Sequence, residues 1–157
     1  MRINLLIDNP KDVRNGYLNI DPFATGADSR LQANLSDLDR IVCNGEALEI
    51  VASDILGYFP AQQVDEVMAH WIGKLAHGGT IAITEIDLKE IGKKYLANVL
   101  SLNEANDLIH GLQTQPWQLR KSSFTLQVLV EVMQNLGLKI LTKRIQNNRA
   151  TIVAQRM

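Results

Sequence analysis

The amino-terminal residues 1–10, MRINLLIDNP, and the segment 17–21, YLNID, decide the fold of this chain. The apolar residues of the first segment predict a buried strand that runs into a loop, and the second segment predicts another strand that ends at Asp21. In a βαβ-type unit, an acidic residue at the end of the second strand binds a nucleotide ribose, and the first turn is rich in glycine. Residues 6–10 contain no glycine. The two segments therefore predict a nucleotide-binding architecture whose cofactor loop is altered.

Strand and helix patterns alternate along the rest of the chain, which predicts an α/β layer architecture. The clearest helix spans 64–75, because its apolar residues fall on one face: Val64, Val67, Met68, Trp71, Ile72 and Leu75. A buried strand is predicted over 80–84, and a last helix over 125–136. Two strands over 138–141 and 150–154 follow it, which predicts an antiparallel edge on an otherwise parallel sheet.

The composition suits a single domain, residues 1–157, with the 46% hydrophobic and 21% charged residues of a globular chain. A formal net charge of −1 gives no electrostatic footprint for nucleic acid. No apolar segment is long enough to span a membrane. The single cysteine, Cys43, excludes an internal disulfide and suits a reducing compartment, so we expect a cytoplasmic protein. None of the three histidines has a partner at metal-ligand spacing, so no metal site is expected.

Several blocks of the sequence resemble the compact members of the class I S-adenosylmethionine-dependent methyltransferase family. Residues 16–21, GYLNID, match the family pattern GYxNxD, and residues 49–60, EIVASDILGYFP, resemble its segment DEIxASHVLEHxP. Residues 71–83 resemble the family's helix, Gly-Gly turn and fifth strand, and residues 121–138 resemble its late region. The resemblance implies a Rossmann-like methyltransferase fold with a mostly parallel sheet, an antiparallel C-terminal strand hairpin and helices on both faces.

The resemblance also implies S-adenosylmethionine as the cofactor. Asp21 stands at the family's ribose-binding acid, and Asn34 and Leu35 stand near the position that contacts the adenine amine, where an asparagine can accept a hydrogen bond. Leu6 and Asp8 stand where the family has glycines. A leucine fills volume that a glycine leaves open, and Asp8 puts a negative charge near the cofactor carboxylate. Considered without the resemblance, Asp21 is an acid that begins an Asp-Pro turn.

By the same resemblance, Asp54 and Tyr58 lie in the segment that faces the transferred methyl group, which makes them candidate catalytic residues. A carboxylate there could take a proton from an incoming nucleophile. An aspartate that begins a helix is equally natural at this position. Trp117 lies in a polar loop close to Arg120 and Lys121, and an aromatic residue in an exposed loop is a candidate for binding a substrate or a partner.

These features leave two main hypotheses for function. The first is an S-adenosylmethionine-dependent methyltransferase that acts on an unknown small-molecule or protein acceptor, mainly by orienting the reactants. The second is a catalytically inactive methyltransferase-like domain that binds a partner or supports an assembly, which the missing glycines favour. A third hypothesis is a different small ligand, admitted by the altered loop. A homo-oligomer through the carboxy-terminal edge strand or the helix of Trp71 is compatible with all three.

Overall fold

A single seven-stranded sheet runs through the computed structural model, which describes residues 1–157. Its strands are β1 (Arg2–Leu5), β2 (Leu18–Ile20), β3 (Arg30–Leu31), β4 (Ala47–Ser53), β5 (Leu75–Ile86), β6 (Leu138–Gln146) and β7 (Arg149–Arg156). They are arranged in the order β3-β2-β1-β4-β5-β7-β6. Strands β1 to β5 pair in parallel, whereas β7 is antiparallel to both of its neighbours. This arrangement confirms the predicted Rossmann-like sheet with its antiparallel C-terminal hairpin.

Four α-helices accompany the sheet: α1 (Val64–Lys74), α2 (Leu88–Leu96), α3 (Leu102–His110) and α4 (Leu126–Asn135). The first and the last of them confirm the helices predicted from the apolar patterns. The side chains of Asp87, Ser101 and Thr125 begin α2, α3 and α4, since each accepts a hydrogen bond from the backbone amide three residues later. None of the helices combines the length and the apolar character needed to cross a membrane.

One face of the sheet is buried across the central strands. Residues from four adjacent strands lie side by side in register on this face and are 0% exposed: Ile3, Ile50, Ile81 and Ala154. Helices α1 and α4 cover them, and their own buried side chains belong to the same apolar cluster: Met68, Trp71, Leu129 and Met133. Burial of each large apolar side chain contributes roughly 1.5–3 kcal/mol, so this face provides most of the core.

The opposite face of the sheet is less buried than the first. Its side chains on β5 and β7 are small or polar: Ala82, Thr84, Thr151 and Val153. Helices α1 and α4 pack on the buried face. At the end of β5, Ile86 points to the opposite face, where it packs with Ile91 of α2 and Ala105 of α3. The structure thus confirms helices on both faces of the sheet. The segments 6–17, 21–29 and 32–46, which connect β1 to β4, contain no α-helix. They are interrupted by Pro10 and by glycines at positive φ, which favour turns.

A buried ion pair attaches the segment 111–124 to the end of β5 and to the turn that follows β4. Glu85, which is 0% exposed, accepts hydrogen bonds from Arg120 Nη2 at 2.7 Å and from the Leu56 amide at 2.6 Å. Gly57 has no side chain, and the Arg120 guanidinium lies directly against it. The Gly57 carbonyl accepts a further hydrogen bond from the Lys121 amide at 2.6 Å. The turn Leu56–Tyr58 and the segment 111–124 therefore form one wall at the carboxyl edge of the sheet.

Replacement of Arg120 should make stability depend on pH. Burial raises the pKa of Glu85, and the Arg120 guanidinium opposes that rise. In Arg120→Met, the folded protein therefore keeps the Glu85 proton at pH values at which the unfolded chain has lost it, so stability falls as pH rises. We expect the free energy of unfolding to fall by about 3–5 kcal/mol near neutral pH and by less at about pH 5, measured by urea unfolding.

The double variant Glu85→Gln/Arg120→Met is the matched control, because it carries neither charge. It should lose most of the extra pH dependence. An equal loss of stability at both pH values in Arg120→Met would contradict the assignment of Glu85 as the buried group responsible.

Replacement of Gly57 by alanine should destabilise the protein because the new Cβ would overlap with the Arg120 guanidinium. Such overpacking costs about 1–3 kcal/mol. Gly92→Ala is the control, since Gly92 lies within α2 with no atom within 4 Å of a new Cβ. That change should stabilise the helix by up to about 1 kcal/mol. Thermal unfolding of both variants tests the prediction, and equal midpoints would argue against close packing at Gly57.

Candidate functional site

A pocket of about 280 Å³ opens at the carboxyl edge of the sheet, where the loops after β1, β2, β3 and β4 meet the segment 111–124. Most of its lining is apolar, and Asn34, Tyr58 and Lys121 add polar groups. The lining residues are Ile7, Pro22, Phe23, Asn34, Leu35, Tyr58, Phe59, Pro116, Trp117, Leu119 and Lys121. Parallel α/β sheets bind their ligands outside the carboxyl ends of the strands. The pocket is therefore the candidate functional site of this chain.

Three aromatic rings form a cluster within the pocket lining. The ring centre of Trp117 lies 5.2 Å from that of Phe23 and 5.7 Å from that of Tyr58. The Tyr58 ring also packs against Arg120, whose guanidinium carbon lies 5.3 Å from the ring centre. Because Arg120 is held by Glu85, the buried ion pair positions Tyr58 as well as the backbone around it. The fold thus holds the cluster of Phe23, Tyr58 and Trp117, called the aromatic wall below, in place.

Asp21 ends β2 beside this pocket, but its carboxylate is 0% exposed and lies within the protein. Oδ1 accepts hydrogen bonds from the amides of Asp8 at 3.0 Å and Phe23 at 2.9 Å. Oδ2 accepts hydrogen bonds from the Asn9 amide at 3.2 Å and from Arg30 Nη1 at 2.7 Å. Four donors from the chain itself therefore surround the acid that the resemblance assigned to a ribose.

Arg30 joins Asp21 to a second carboxylate. Its Nε and Nη2 donate to Asp28 Oδ2 at 2.9 and 2.7 Å, while Nη1 donates to Asp21. The hydrogen bond to Asp28 and, to a smaller extent, the one to Asp21 raise the pKa of Arg30. The guanidinium therefore stays charged although only 8% of the residue is exposed. In turn, Arg30 lowers the pKa of the Asp28 carboxyl. The buried charge of Asp21 is thus neutralised by the chain.

The loop after β1 turns over Asp21, and Asp8 adopts a left-handed conformation in this turn. The φ of Asp8 is +47°, in the left-handed region that favours glycine, and its amide points to the Asp21 carboxylate. The side chain of Asp8 is exposed and does not line the pocket. Leu6 is 4% exposed and lines a separate polar recess with Lys11 and Arg14, whereas Ile7 contributes to the pocket.

Asn34 and Leu35 both line the pocket, as does Tyr58. Asn34 Oδ1 already accepts hydrogen bonds from the Ser36 amide and hydroxyl, at 3.0 and 2.9 Å. Leu35 is buried, and its carbonyl accepts a hydrogen bond from Trp71 Nε1 at 2.7 Å. The structure therefore brings together three of the predicted site residues, with Trp117 beside them.

Asp54 lies apart from the pocket. Its carboxylate accepts two hydrogen bonds from Arg149 Nε, at 2.9 and 3.2 Å, and no lining residue of the pocket is acidic. The amide of Asp54 bonds to the Thr84 carbonyl, and its φ is +55°. In this structure, Asp54 ties the end of β4 to the start of β7.

One group of potential metal ligands is present on another part of the surface, which the spacing of residues in the sequence did not indicate. Ligand atoms of Asp37, Asp39 and His70 lie within 4.8 Å of one another. His70 Nε2 accepts a hydrogen bond from the Leu38 amide at 2.9 Å, and Asp39 forms an ion pair with Lys74. Two of the three side chains, His70 and Asp39, are therefore already engaged in contacts within the protein.

S-adenosylmethionine does not fit this site in the position that the resemblance implies. Both oxygens of Asp21 are occupied by donors of the chain, and no part of the carboxylate reaches solvent. A ribose hydroxyl could reach it only if the loop of Asp8 and Asn9 moved away. Such a movement would expose the ion pair with Arg30 and break two backbone hydrogen bonds.

Three important residues lay outside the predictions from sequence: Phe23, Arg30 and Glu85. Phe23 is an aromatic residue in a predicted loop, as Trp117 is, so the sequence could have indicated it as a binding residue. Arg30 follows Asp21 by nine positions, and Glu85 precedes Arg120 by 35. Nothing in the local pattern of either pair indicates a buried contact.

Comparison with known proteins identifies this architecture. No protein-family model and no curated protein matches the sequence. Among solved structures, a SAM-dependent methyltransferase from Thermotoga maritima is similar, with a TM-score of 0.65 at 10% identity, over 100% of this chain and 83% of that one. A SAM-dependent methyltransferase from Methanosarcina mazei gives a TM-score of 0.60 at 15% identity, over 98% and 92%.

An O-methyltransferase family protein from Burkholderia thailandensis is also similar, with a TM-score of 0.59 at 18% identity. The match covers 99% of this chain but 51% of that protein, so this chain spans about half of its length. Likeness at such identities shows the fold. The chain therefore has a class I S-adenosylmethionine-dependent methyltransferase-like fold.

Proposed function

We propose that this chain is a binding domain built on the methyltransferase fold, without methyl transfer, and that its ligand enters the pocket of Phe23, Tyr58 and Trp117. The observation that carries this proposal is that the Asp21 carboxylate is buried and fully hydrogen-bonded within the chain. A carboxylate with four donors and no exposed surface has no free capacity for ribose hydroxyls. The pocket beside it remains open.

The lining of the pocket supports the same proposal. It contains no aspartate, glutamate or histidine that could act as a general base. Asp54, the candidate base, is held by Arg149 and lies outside the lining. Tyr58 faces the pocket with a phenol group, which can donate a hydrogen bond but has no acidic partner in the lining to activate it. The chemistry of the pocket suits binding better than proton transfer.

A second candidate function is a methyltransferase that uses S-adenosylmethionine and acts on an unknown small-molecule or protein acceptor. The position of the pocket favours it, since Asn34, Leu35 and Tyr58 line the carboxyl edge of the sheet. This function requires the loop of Asp8 and Asn9 to leave Asp21 when the cofactor arrives. Titration with the cofactor separates the two candidates.

Calorimetric titration with S-adenosylmethionine and with S-adenosylhomocysteine should give no binding heat at millimolar ligand. We expect the same ligands to leave the thermal midpoint unchanged, since a ligand that binds the folded state must raise it. Micromolar binding of either ligand that is lost in Asp21→Asn would overturn the proposal and establish the second candidate.

Asp21→Ala should destabilise the protein strongly, because it leaves Arg30 buried without one of its partners and leaves three amides without an acceptor. We expect a loss of about 3–5 kcal/mol in the free energy of unfolding. Asp28→Ala is the matched control: it removes the other carboxylate that contacts Arg30, but 33% of the Asp28 side chain is exposed. Its loss should be smaller than that of Asp21→Ala, because water can reach the vacated position and only one backbone amide, that of Arg30, loses its acceptor. Equal losses in urea unfolding would contradict the structural role of Asp21.

A further inference from the structure

We infer that the pocket of Phe23, Tyr58 and Trp117 selects a small molecule with a planar apolar body and a single anionic group, which Lys121 receives. This inference rests on the binding function proposed above and names the class of its ligand. It follows from the shape of the aromatic wall and from the charges around the pocket.

The wall of the pocket favours a flat ligand. Trp117 packs against both Phe23 and Tyr58, and Ile7, Leu35, Phe59 and Leu119 supply further apolar surface. Aromatic side chains prefer offset or edge contacts with other rings, so a planar ring gains both apolar burial and a favourable geometry here. The volume of about 280 Å³ lies near the lower end of small-molecule sites, which suits a compact body of one or two rings.

The charges around the pocket favour an anion. Lys121 is the only charged residue in the lining, and it takes part in no ion pair. Its backbone is fixed by the hydrogen bond to the Gly57 carbonyl, so the base of the side chain has a defined place at the pocket. The nearby Arg120 is already neutralised by Glu85. A bound carboxylate or similar group would therefore meet one free positive charge.

The same charges disfavour a cation. A set of three rings can hold a quaternary ammonium group through cation–π contacts. Here, however, the rings contact one another, the Tyr58 ring already packs against Arg120, and no acidic side chain lines the pocket. A positively charged group would meet Lys121 without any carboxylate to offset the repulsion. The sulfonium of S-adenosylmethionine would experience this repulsion as well.

Three probes with the same ring system and different charge test the inference: naphthoate, naphthylmethanol and naphthylmethylammonium. The chain has two tryptophans, so the indole N–H resonances in an NMR titration provide both signal and control. The resonance of Trp117 should shift more than that of the buried Trp71, which meets the pocket only through Leu35 and Phe59. We expect naphthoate to bind about two- to fivefold more tightly than naphthylmethanol, as suits one exposed ion pair, and naphthylmethylammonium to bind most weakly.

Two variants separate the charge from the rings. Lys121→Gln should abolish the preference for naphthoate over naphthylmethanol, whereas Lys143→Gln, on the exposed strand β6, should leave it unchanged. Trp117→Leu should weaken all three probes about tenfold, measured by broadening of the ligand resonances. An unmoved Trp117 resonance at millimolar naphthoate, or equal affinity for the anionic and cationic probes, would overturn the inference.

The two proposals fail in different ways. Micromolar binding of S-adenosylhomocysteine that depends on Asp21 would overturn the proposed function, whatever the probes do. If S-adenosylhomocysteine does not bind and the three probes bind with equal affinity, only the proposed ligand class is overturned.

Discussion

The buried carboxylate of Asp21 governs how the carboxyl edge of the sheet is built. An ionised acid with no exposed surface is stable only when charge and hydrogen bonds replace its hydration. The chain supplies both, through Arg30 on one side and the amides of Asp8, Asn9 and Phe23 on the other. This requirement draws the loop after β1 across the end of β2, forces Asp8 into a left-handed conformation and brings Arg30 inside. The path of the first loops therefore follows from one side chain.

The two acids that the family resemblance assigned to binding and catalysis share a pattern. Asp21 is paired with Arg30, and Asp54 is paired with Arg149. In each case, an arginine of the chain takes the place that a ligand or an incoming nucleophile would need. The remaining open space is apolar and aromatic, with Lys121 as its only free charge. The proposed ligand class follows from this combination of an apolar aromatic surface and one unpaired charge.

Much of the fold could be predicted because its signals are local. The pattern of apolar residues is enough to predict the helix over 64–75 and the two strands that flank residues 147–148. The direction of Leu6 depends on strand register instead: Leu5 faces the core, so the next residue points to the other side. The pairing of Glu85 with Arg120 depends on tertiary contact across 35 positions. The placement of helices on both faces was inferred from the resemblance, and α2 and α3 take the second face through their contacts with Ile86.

The uneven covering of the sheet has a consequence for its local stability. Strand β5 is paired on both sides over residues 80–84, whereas β3 joins β2 through two residue pairs and ends the sheet. Amide groups in strands with few buried contacts open to solvent at lower free energy than those of a central strand. We expect the free energy of opening to rise across the sheet from β3 toward β5. The pocket lies at this boundary, with one wall on the loops beside β2 and β3 and the other on the rigid end of β4.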